Sequence, residues 1–292
     1  MNAKLMFVHA LTPLHPGTGQ GIGVIDLPVA REVATGLPYL PGSSFKGVLR
    51  DRANGQLWCN AVFGPDTNNA DEHAGTAQFT DMRLLLLPVR SLAGPFAWVT
   101  SPFVLRRFAR DCKAVGLSGV PGDVQVADNE TAVLTSQTAL KVSDNQIVQI
   151  VLEDLQLKPD SGNADDWANF LAAQLFQDDT DWQETLKKQL CIVADDVLSF
   201  LLDTSTEIVA RIKLQDDTKT VQKGGLWYEE LLPAETVLAG LVVAQPVEKT
   251  NLKESEILDK VAELLEKPVF QFGGSATVGR GLCRLVMAVK GG

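Results

Sequence analysis

Residues 236–266, TVLAGLVVAQPVEKTNLKESEILDKVAELLE, carry the clearest secondary-structure signal in the chain. The apolar run over 236–245 is typical of a buried strand, and apolar residues recur every three to four positions over 254–266, as on one side of a helix. Two more strands are expected to follow, FGGSATVGRG (272–281) and LCRLVMAV (282–289). This end of the chain therefore predicts a strand, a helix and a returning strand.

The beginning of the chain predicts the same order. Residues 4–11 read as a strand, LPYLPGSSFKGVLRDR (37–52) predicts a helix with Ser43 or Ser44 as its N-cap, and 77–89 predicts another strand. Two β-α-β units in succession give the order of ferredoxin-like folds. We therefore predict an α+β fold with a ferredoxin-like βαββαβ core that is interrupted by a long insertion.

The insertion is expected to contain a basic helix, strand-like stretches at 131–140 and 146–152, an acidic helical segment and a hairpin. A basic helix is predicted over 101–115, because Ser101 and Pro102 form a helix start and Gly116 a stop. An acidic segment, 153–207, predicts helices over about 164–202, and a polar-tipped hairpin is predicted to project after it. The expected division of the chain is a core formed by 1–89 and 233–292, with the insertions in 90–232.

Charge is distributed unevenly along the chain. The net charge is −10, and residues 153–207 account for all of it with 13 acidic residues and three lysines. Residues 81–113 carry six basic side chains against two acidic ones. Because the local field decides whether a polyanion can dock, this composition permits a nucleic-acid-binding face. Ordinary solvated charges explain the same pattern equally well.

Cysteine usage and hydropathy indicate the compartment. The chain has four cysteines, with no CxxC pair and no short spacing to a histidine, so neither a zinc site nor a disulfide framework is predicted. The N-terminal segment does not resemble a signal peptide, and no apolar run reaches 18 residues. We expect a cytoplasmic protein without a membrane partner.

Two glycine-rich segments stand out, HPGTGQGIGVID (15–26) and the residues around Arg280. Neither fits GxGxxG or GxxxxGK[ST], which argues against a nucleotide cofactor. Glycines let a backbone approach a sugar-phosphate chain closely, and backbone N–H groups beside Arg280 could hold phosphates. A mobile or tightly turning loop is the alternative for either segment.

Few side chains are candidates for catalysis. His15 and Asp26 flank the first glycine segment, and Glu229 and Glu230 follow Tyr228 at the end of the predicted hairpin. One carboxylate that holds a mostly hydrated Mg²⁺ is sufficient to assist RNA cleavage by its own 2′-hydroxyl. However, a single Asp in a loop is more often a turn residue, so these residues alone do not establish that the protein is an enzyme.

Three long motifs resemble the repeated backbone subunit of type III-B CRISPR (Cmr) effector complexes, a family of RAMP proteins. They are TPLHPGTGQGIGVIDLPVARE with GLPYLPGSSFKGVLRD, then DDTKTVQKGGLWYEELLP, and finally FGGSATVGRGL. The resemblance reaches from Leu11 to Leu282, and the acidic segment 153–207 has no matching motif. It implies an RRM-like core that polymerises head to tail along guide RNA with other Cmr-type subunits. The implied activity is metal-dependent cleavage of bound target RNA at regular intervals by an internal 2′-hydroxyl.

The resemblance also implies roles for individual residues. Asp26 matches the catalytic carboxylate and the ligand of Mg²⁺ or another divalent cation, and His15, Tyr228, Glu229 and Glu230 match positions near the scissile phosphate. The residues that match guide-RNA contacts are Ser43, Ser44, Lys46, Arg50, Gly273, Gly274, Gly279, Arg280 and Gly281.

The family also has a thumb that inserts between base pairs and flips a nucleotide; the hairpin at 208–228 is the candidate for it, with 81–115 as a second candidate contributor. The sequence departs from the family at Leu231, where a tyrosine is more common. Two other functions stay open: a scaffold that binds guide RNA without cutting it, and a metal-independent, guide-processing endoribonuclease that uses His15. Asp26 argues against the scaffold, because a phosphate-binding surface has no use for a carboxylate. An α+β enzyme acting on a small metabolite is a more distant alternative.

Overall fold

The computed structural model describes residues 2–19, 24–66, 69, 71–144 and 147–289. The strands are β1 (Ala3–Ala10), β2 (Tyr39–Leu40), β3 (Ala77–Phe79), β4 (Met82–Val89), β5 (Ala97–Thr100), β6 (Thr131–Leu134), β7 (Val142–Asp144), β8 (Ile147–Leu152), β9 (Leu155–Ser161), β10 (Leu190–Val193), β11 (Glu207–Leu214), β12 (Val221–Leu231), β13 (Val237–Ala244), β14 (Val269–Gln271) and β15 (Leu282–Met287). The helices are α1 (Gly42–Arg52), α2 (Cys59–Phe63), α3 (Pro102–Ala114), α4 (Ala164–Leu175), α5 (Thr180–Gln189), α6 (Asp195–Thr204) and α7 (Glu254–Glu263).

Four antiparallel strands from the two ends of the chain form the core sheet. They lie in the order β15-β1-β13-β4, and α1 and α7 are the helices of the two β-α-β units. Phe45 of α1 packs against Phe79 and Phe272, and α7 buries Ile257 and Val261. The mixed α+β fold is as predicted, although the strand expected over 77–89 is divided into β3 and β4.

The start of α1 differs from the prediction. Ser43 and Ser44 are exposed residues inside the first turn, and the helix begins at Gly42, whose N–H donates to the Asp81 carboxylate at 2.8 Å. The predicted serine caps are therefore wrong. A carboxylate 39 residues away satisfies the free N–H group at the helix start, and sequence spacing cannot reveal such a long-range cap.

The strand predicted over 272–281 is also wrong. This segment is a loop with a short 3₁₀ turn at Ala276–Val278. Gly273, Gly279 and Gly281 all have positive φ angles, between 70° and 79°, and so does Ser275 at 61°. A strand cannot continue through residues in this conformation, because it turns the chain at each of them.

The insertion continues the core sheet. Strand β5 pairs with β4, and β10, β6, β9, β8 and β7 follow outward. Within the described part of the chain this gives a 13-stranded sheet that includes β2 and β3. The acidic segment contains helices α4, α5 and α6 as predicted, but residues 190–193 form β10, a fully buried strand parallel to β5. A four-residue apolar run between two helices cannot be distinguished from a helical segment by periodicity, which is why the sequence does not predict this strand.

The predicted basic helix is α3, and its charges are largely paired within the chain. Pro102 is its first residue, and Phe108 and Cys112 are buried. Arg107 donates two hydrogen bonds to the Glu32 carboxylate, at 2.7 and 2.6 Å, while Arg106 lies 3.9 Å from Asp195. The arginines of α3 therefore hold other parts of this chain as well as facing solvent.

The Glu32 and Arg107 pair predicts a pH-dependent contribution to stability. The hydrogen bond from Arg107 holds the pKa of the Glu32 carboxyl below its ordinary value of 4.5, although burial acts in the opposite direction. A lowered folded-state pKa stabilises the fold above pH 4.5, and this contribution disappears as the pH falls through the folded pKa. Glu32→Gln should lower the free energy of unfolding by about 2 kcal/mol at neutral pH, and by progressively less in acid.

Urea denaturation at a series of pH values measures this difference. Glu130→Gln is the control, because it breaks an ion pair with Lys158 in which both side chains are 72% exposed, and it should change stability little. If the free energy of unfolding of Glu32→Gln differed from that of the wild type by the same amount from pH 7 to pH 3, the lowered pKa assigned to Glu32 would be contradicted.

The predicted hairpin is present. Strands β11 and β12 form a separate two-stranded sheet, and apolar residues such as Ile212 and Leu226 on it are exposed. The hairpin covers the expected residues 208–228 and extends to Leu231, where its base enters the core. Among the described residues, no helix combines the length and apolar character needed to cross a bilayer.

Candidate active site

Asp26 lies at the base of the hairpin. Its neighbour Leu27 pairs with β12 in parallel: the Leu27 N–H donates to the Tyr228 carbonyl at 3.1 Å, and the Glu230 N–H donates to the Leu27 carbonyl at 3.0 Å. The Asp26 carboxylate accepts a hydrogen bond from the Tyr228 backbone N–H through Oδ2 at 2.8 Å. Asp26 is thus held at a fixed position while its side chain stays exposed to solvent.

His15 is buried next to this segment with a defined ring orientation. Its Nδ1 lies 2.6 Å from the Glu230 carbonyl oxygen. Because a carbonyl only accepts, Nδ1 carries the proton, and in the neutral ring Nε2 is the free acceptor. Nε2 faces Gly17, where a Cβ would lie 2.5 Å from it. A side chain at position 17 would therefore clash with Nε2.

The two glycine segments meet at His15. The Gly274 N–H donates to the His15 carbonyl at 3.1 Å. A Cβ on Gly273 would overlap the same carbonyl, and the φ of Gly273 is 70°. Close backbone approach therefore requires glycine at 273.

An open cleft joins these segments to the first helix. Its walls come from the first glycine segment, the residue after Asp26, one side of α1 and the second glycine segment. The lining residues are His15, Pro16, Gly17, Gly19, Leu27, Leu40, Ser44, Gly47, Val48, Asp51, Gly273 and Gly274. The structure thus brings together His15, Ser44, Gly273 and Gly274 from the predicted site. Gly21 and Gly23 of the first segment lie outside the described residues.

Glu229 is directed toward the second glycine segment. Its carboxylate accepts from Trp227 Nε1 at 2.9 Å and from Ser275 Oγ at 3.3 Å, and Arg211 Nε lies 3.6 Å away. The Glu229 side chain therefore links the base of the hairpin to the loop that contains Gly273 and Gly274.

Glu230, the next residue, contacts the Asp26 segment instead. Its carboxylate accepts from the Val29 N–H at 3.0 Å and from Arg31 Nη2 at 2.7 Å. Glu230 is only 4% exposed. Neither carboxylate is free at the surface, and the two hold different parts of the site.

The basic residues predicted to contact RNA occupy different environments. Lys46 makes no hydrogen bond or ion pair with any described residue, and burial followed by the charge of Arg50 lowers the pKa of its ammonium group. Arg50 donates to the Gly64 and Pro65 carbonyls and to Asp66. Neither residue lines the cleft. Lys46 is available to a ligand, whereas Arg50 is engaged in an internal network.

Three of the remaining predicted RNA contacts, Gly279, Arg280 and Gly281, lie at the end of the second glycine segment, whereas Ser43 lies in the first turn of α1. Arg280 Nη1 is 3.9 Å from the Glu207 carboxylate, at the start of the hairpin. Gly279 has open space around it, whereas a Cβ on Gly281 would overlap the Phe272 carbonyl. Gly281 is therefore required by packing, and the parts of Gly279, Arg280 and Ser43 in RNA binding stay predictions.

The donor set at Asp26 suits a hydrated cation. Oδ1 of Asp26 accepts no hydrogen bond from any described residue, while Oδ2 is held by Tyr228. Mg²⁺ keeps several waters and binds proteins through one or two carboxylates together with substrate phosphates. Within the described ranges, no group of three or more His, Cys, Asp or Glu residues could hold a metal ion. The residues fit a cation shared with RNA rather than a closed protein cage.

Two residues of the site were missed by the sequence prediction. Arg31 lies in the run PVARE, beside apolar residues that are buried. A charged side chain in such surroundings needs a partner, so this run was a usable signal of an ion pair. Ser275 lies in the second glycine segment and contacts Glu229 across 46 residues, and nothing in its sequence surroundings indicates that contact.

Comparisons with known proteins identify the family. The model of the RAMP superfamily matches residues 7–284. The chain is 36% identical to the CRISPR system Cmr endoribonuclease Cmr4 of Pyrococcus furiosus, over 98% of this chain and 96% of that protein. It is similar to the crystal structure of oligomeric Cmr4 from Pyrococcus furiosus, with a TM-score of 0.76, 28% identity and 98% coverage of both chains.

The same fold occurs in an assembled complex. A chain of the type III-B Cmr-beta complex bound to cognate target RNA superimposes with a TM-score of 0.74 at 20% identity, over 98% of this chain and 97% of that one. The match to the superfamily model and the full-length similarity to the Pyrococcus protein agree with the motifs around His15, Asp26 and the glycine loop. The chain therefore belongs to the RAMP superfamily and, within it, to the Cmr4 family.

Proposed function

We propose that this chain polymerises along guide RNA in a type III-B effector complex and cleaves the bound target RNA at regular intervals. The observation that carries the proposal is the Asp26 carboxylate, which is fixed by the Tyr228 N–H but open to solvent, next to a cleft that His15 lines. The similar Pyrococcus protein is named an endoribonuclease, and a structure of the same fold belongs to a Cmr complex bound to target RNA.

The proposed reaction is attack of a target 2′-oxygen on the adjacent phosphorus. The P–O5′ bond breaks, which leaves a 2′,3′-cyclic phosphate on one product, and the departing 5′-oxygen takes a proton from water to become the 5′-hydroxyl of the other. The His15 Nδ1–H donates to the Glu230 carbonyl, so Nε2 is the atom that can accept the 2′-hydroxyl proton. Asp26 would hold the divalent cation, which supplies positive charge at the phosphate oxygens.

The glycine segments would let RNA come close to the backbone. Gly17, Gly273 and Gly274 line the cleft without side chains, beside Ser44 of α1. Lys46 offers a positive charge for a phosphate elsewhere on the same helix. Because copies would bind head to tail, their interface is heterologous and need not close into a ring. The similar Pyrococcus structure is described as oligomeric, which supports association between copies of the chain.

Metal removal tests the proposal. In a reconstituted complex with guide RNA and end-labelled target, we expect evenly spaced fragments in Mg²⁺, none in EDTA, and the same fragments after Mg²⁺ is restored. A complex without guide should not cut the target and serves as the control.

Each alternative function predicts a different result. A scaffold would bind guide and target but yield no fragments in any buffer. A guide-processing enzyme would cut precursor guide RNA in EDTA. Either outcome would overturn the proposed function.

A further inference from the structure

We infer that Arg31 and Glu230 form a positioning pair that holds Asp26 and His15 in their relative places. Neither residue lines the cleft, so they act through His15, which does, and through the segment that contains Asp26 and the cleft-lining Leu27. The inference rests on the proposed function, because it assigns the pair a part in that reaction.

Glu230 contacts both halves of the site. Its backbone carbonyl accepts from His15 Nδ1 at 2.6 Å, and its backbone N–H donates to the Leu27 carbonyl at 3.0 Å. Its carboxylate accepts from the Val29 N–H at 3.0 Å. One residue of β12 therefore sets the orientation of the His15 ring and binds the segment after Asp26 at two places.

Arg31 attaches the same segment to the insertion. Its Nη2 donates to Glu230 Oε1 at 2.7 Å and to the Leu202 carbonyl near the end of α6 at 3.1 Å. Its Nη1 donates to the Gly36 carbonyl at 3.1 Å. Helix α6 is part of the acidic segment in the insertion. Through Arg31 it thereby holds the segment that contains Asp26.

The burial of the pair makes it sensitive to substitution. The Glu230 side chain is 5% exposed and that of Arg31 is 25% exposed, so removing either partner leaves a charge in poor contact with water. The segment would then shift to relieve that charge. A displacement of about 1 Å at reacting groups is enough to slow a reaction by about 100-fold. The displacement should therefore move Asp26, which lies on the same short segment as Arg31, and slow the reaction.

The test uses substitutions of similar size in the reconstituted complex. Glu230→Gln keeps an acceptor for Val29 but loses the ion pair, and Arg31→Met keeps most of the packing. Each should slow single-turnover cleavage of bound target about 10-fold and raise the Mg²⁺ concentration that gives half-maximal rate, with target affinity unchanged. The double variant should be no slower than either single one, because both remove the same interaction. Arg31→Lys should recover part of the rate.

Asp111→Asn is the matched control. Asp111 is a buried carboxylate of α3 that pairs with Arg83, and it contacts neither Asp26 nor His15 through any hydrogen bond. It should lower the melting temperature to a similar extent without altering the rate or the Mg²⁺ requirement. Equal kinetic losses in Asp111→Asn and Glu230→Gln would overturn the inference, because general destabilisation would then explain both.

Asp26→Asn distinguishes a failure of the proposed function from a failure of the positioning pair. If Asp26→Asn cuts like the wild type, the proposed function fails. If Asp26→Asn is inactive while Glu230→Gln and Arg31→Met keep the wild-type rate and Mg²⁺ requirement, the positioning pair is overturned and the proposed function stands.

Discussion

Replacing Asp26 by Asn is expected to slow target-RNA cleavage by about 1,000-fold, because transition-state stabilisation by a bound cation is worth several kcal/mol. In the wild type, the Tyr228 N–H donates a hydrogen bond to Asp26 Oδ2. The asparagine side-chain carbonyl can accept the same hydrogen bond, so the segment should keep its conformation. Guide binding, assembly and target binding should therefore be unchanged. Single-turnover cleavage of labelled target by the assembled complex measures the loss.

Asp259→Asn provides the control for this experiment. It makes the same chemical change at an exposed position of α7 and should leave the cleavage rate unchanged. Spaced cleavage by the Asp26→Asn complex at the wild-type rate would contradict the assignment of Asp26.

Gly281→Ala is expected to have the largest effect on stability. Gly281 has a φ of 73°, and a Cβ there would overlap the Phe272 carbonyl oxygen. The position cannot shift freely, because the Gly281 N–H donates to the Pro13 carbonyl and its own carbonyl accepts from the Phe272 N–H, both at 2.8 Å. Backbone strain and steric overlap together should lower the free energy of unfolding by about 3 kcal/mol.

Gly279→Ala separates strain from overlap. Gly279 has a similar φ of 79°, but a Cβ at that position would meet no atom within 4 Å. The substitution should lower the free energy of unfolding by about 1 kcal/mol, which is the strain of one residue in the left-handed conformation. Urea denaturation of both variants gives the comparison, and equal losses would show that the packing of Gly281 against Phe272 is not what requires glycine.

The elements that the sequence predicted well are those with a strong local pattern. Strand β13 and helix α7 follow from an apolar run and a helical repeat, and α3 follows from a proline start and a glycine stop. Where local pattern was weak, prediction failed. Strand β10 is four residues long and owes its conformation to β5 and β6 on either side.

In the candidate site, too, some residues could be predicted from the sequence and others could not. The resemblance to a family indicated Asp26 and His15, but neither motif nor spacing distinguished Glu229 from Glu230. That distinction depends on which neighbour each carboxylate meets: Ser275 for Glu229, and Arg31, 199 residues away, for Glu230. Contacts over such separations arise only from the tertiary fold, so a single sequence could not supply them.

The 2′-hydroxyl of the target is the group on which the proposed reaction depends most directly. A target with a single 2′-deoxynucleotide at one cleavage position removes the attacking oxygen and changes nothing in the protein. We predict that the assembled complex loses the cut at that position alone and still cuts at the other spaced positions in Mg²⁺. Cleavage that persists at the deoxy position would contradict the mechanism.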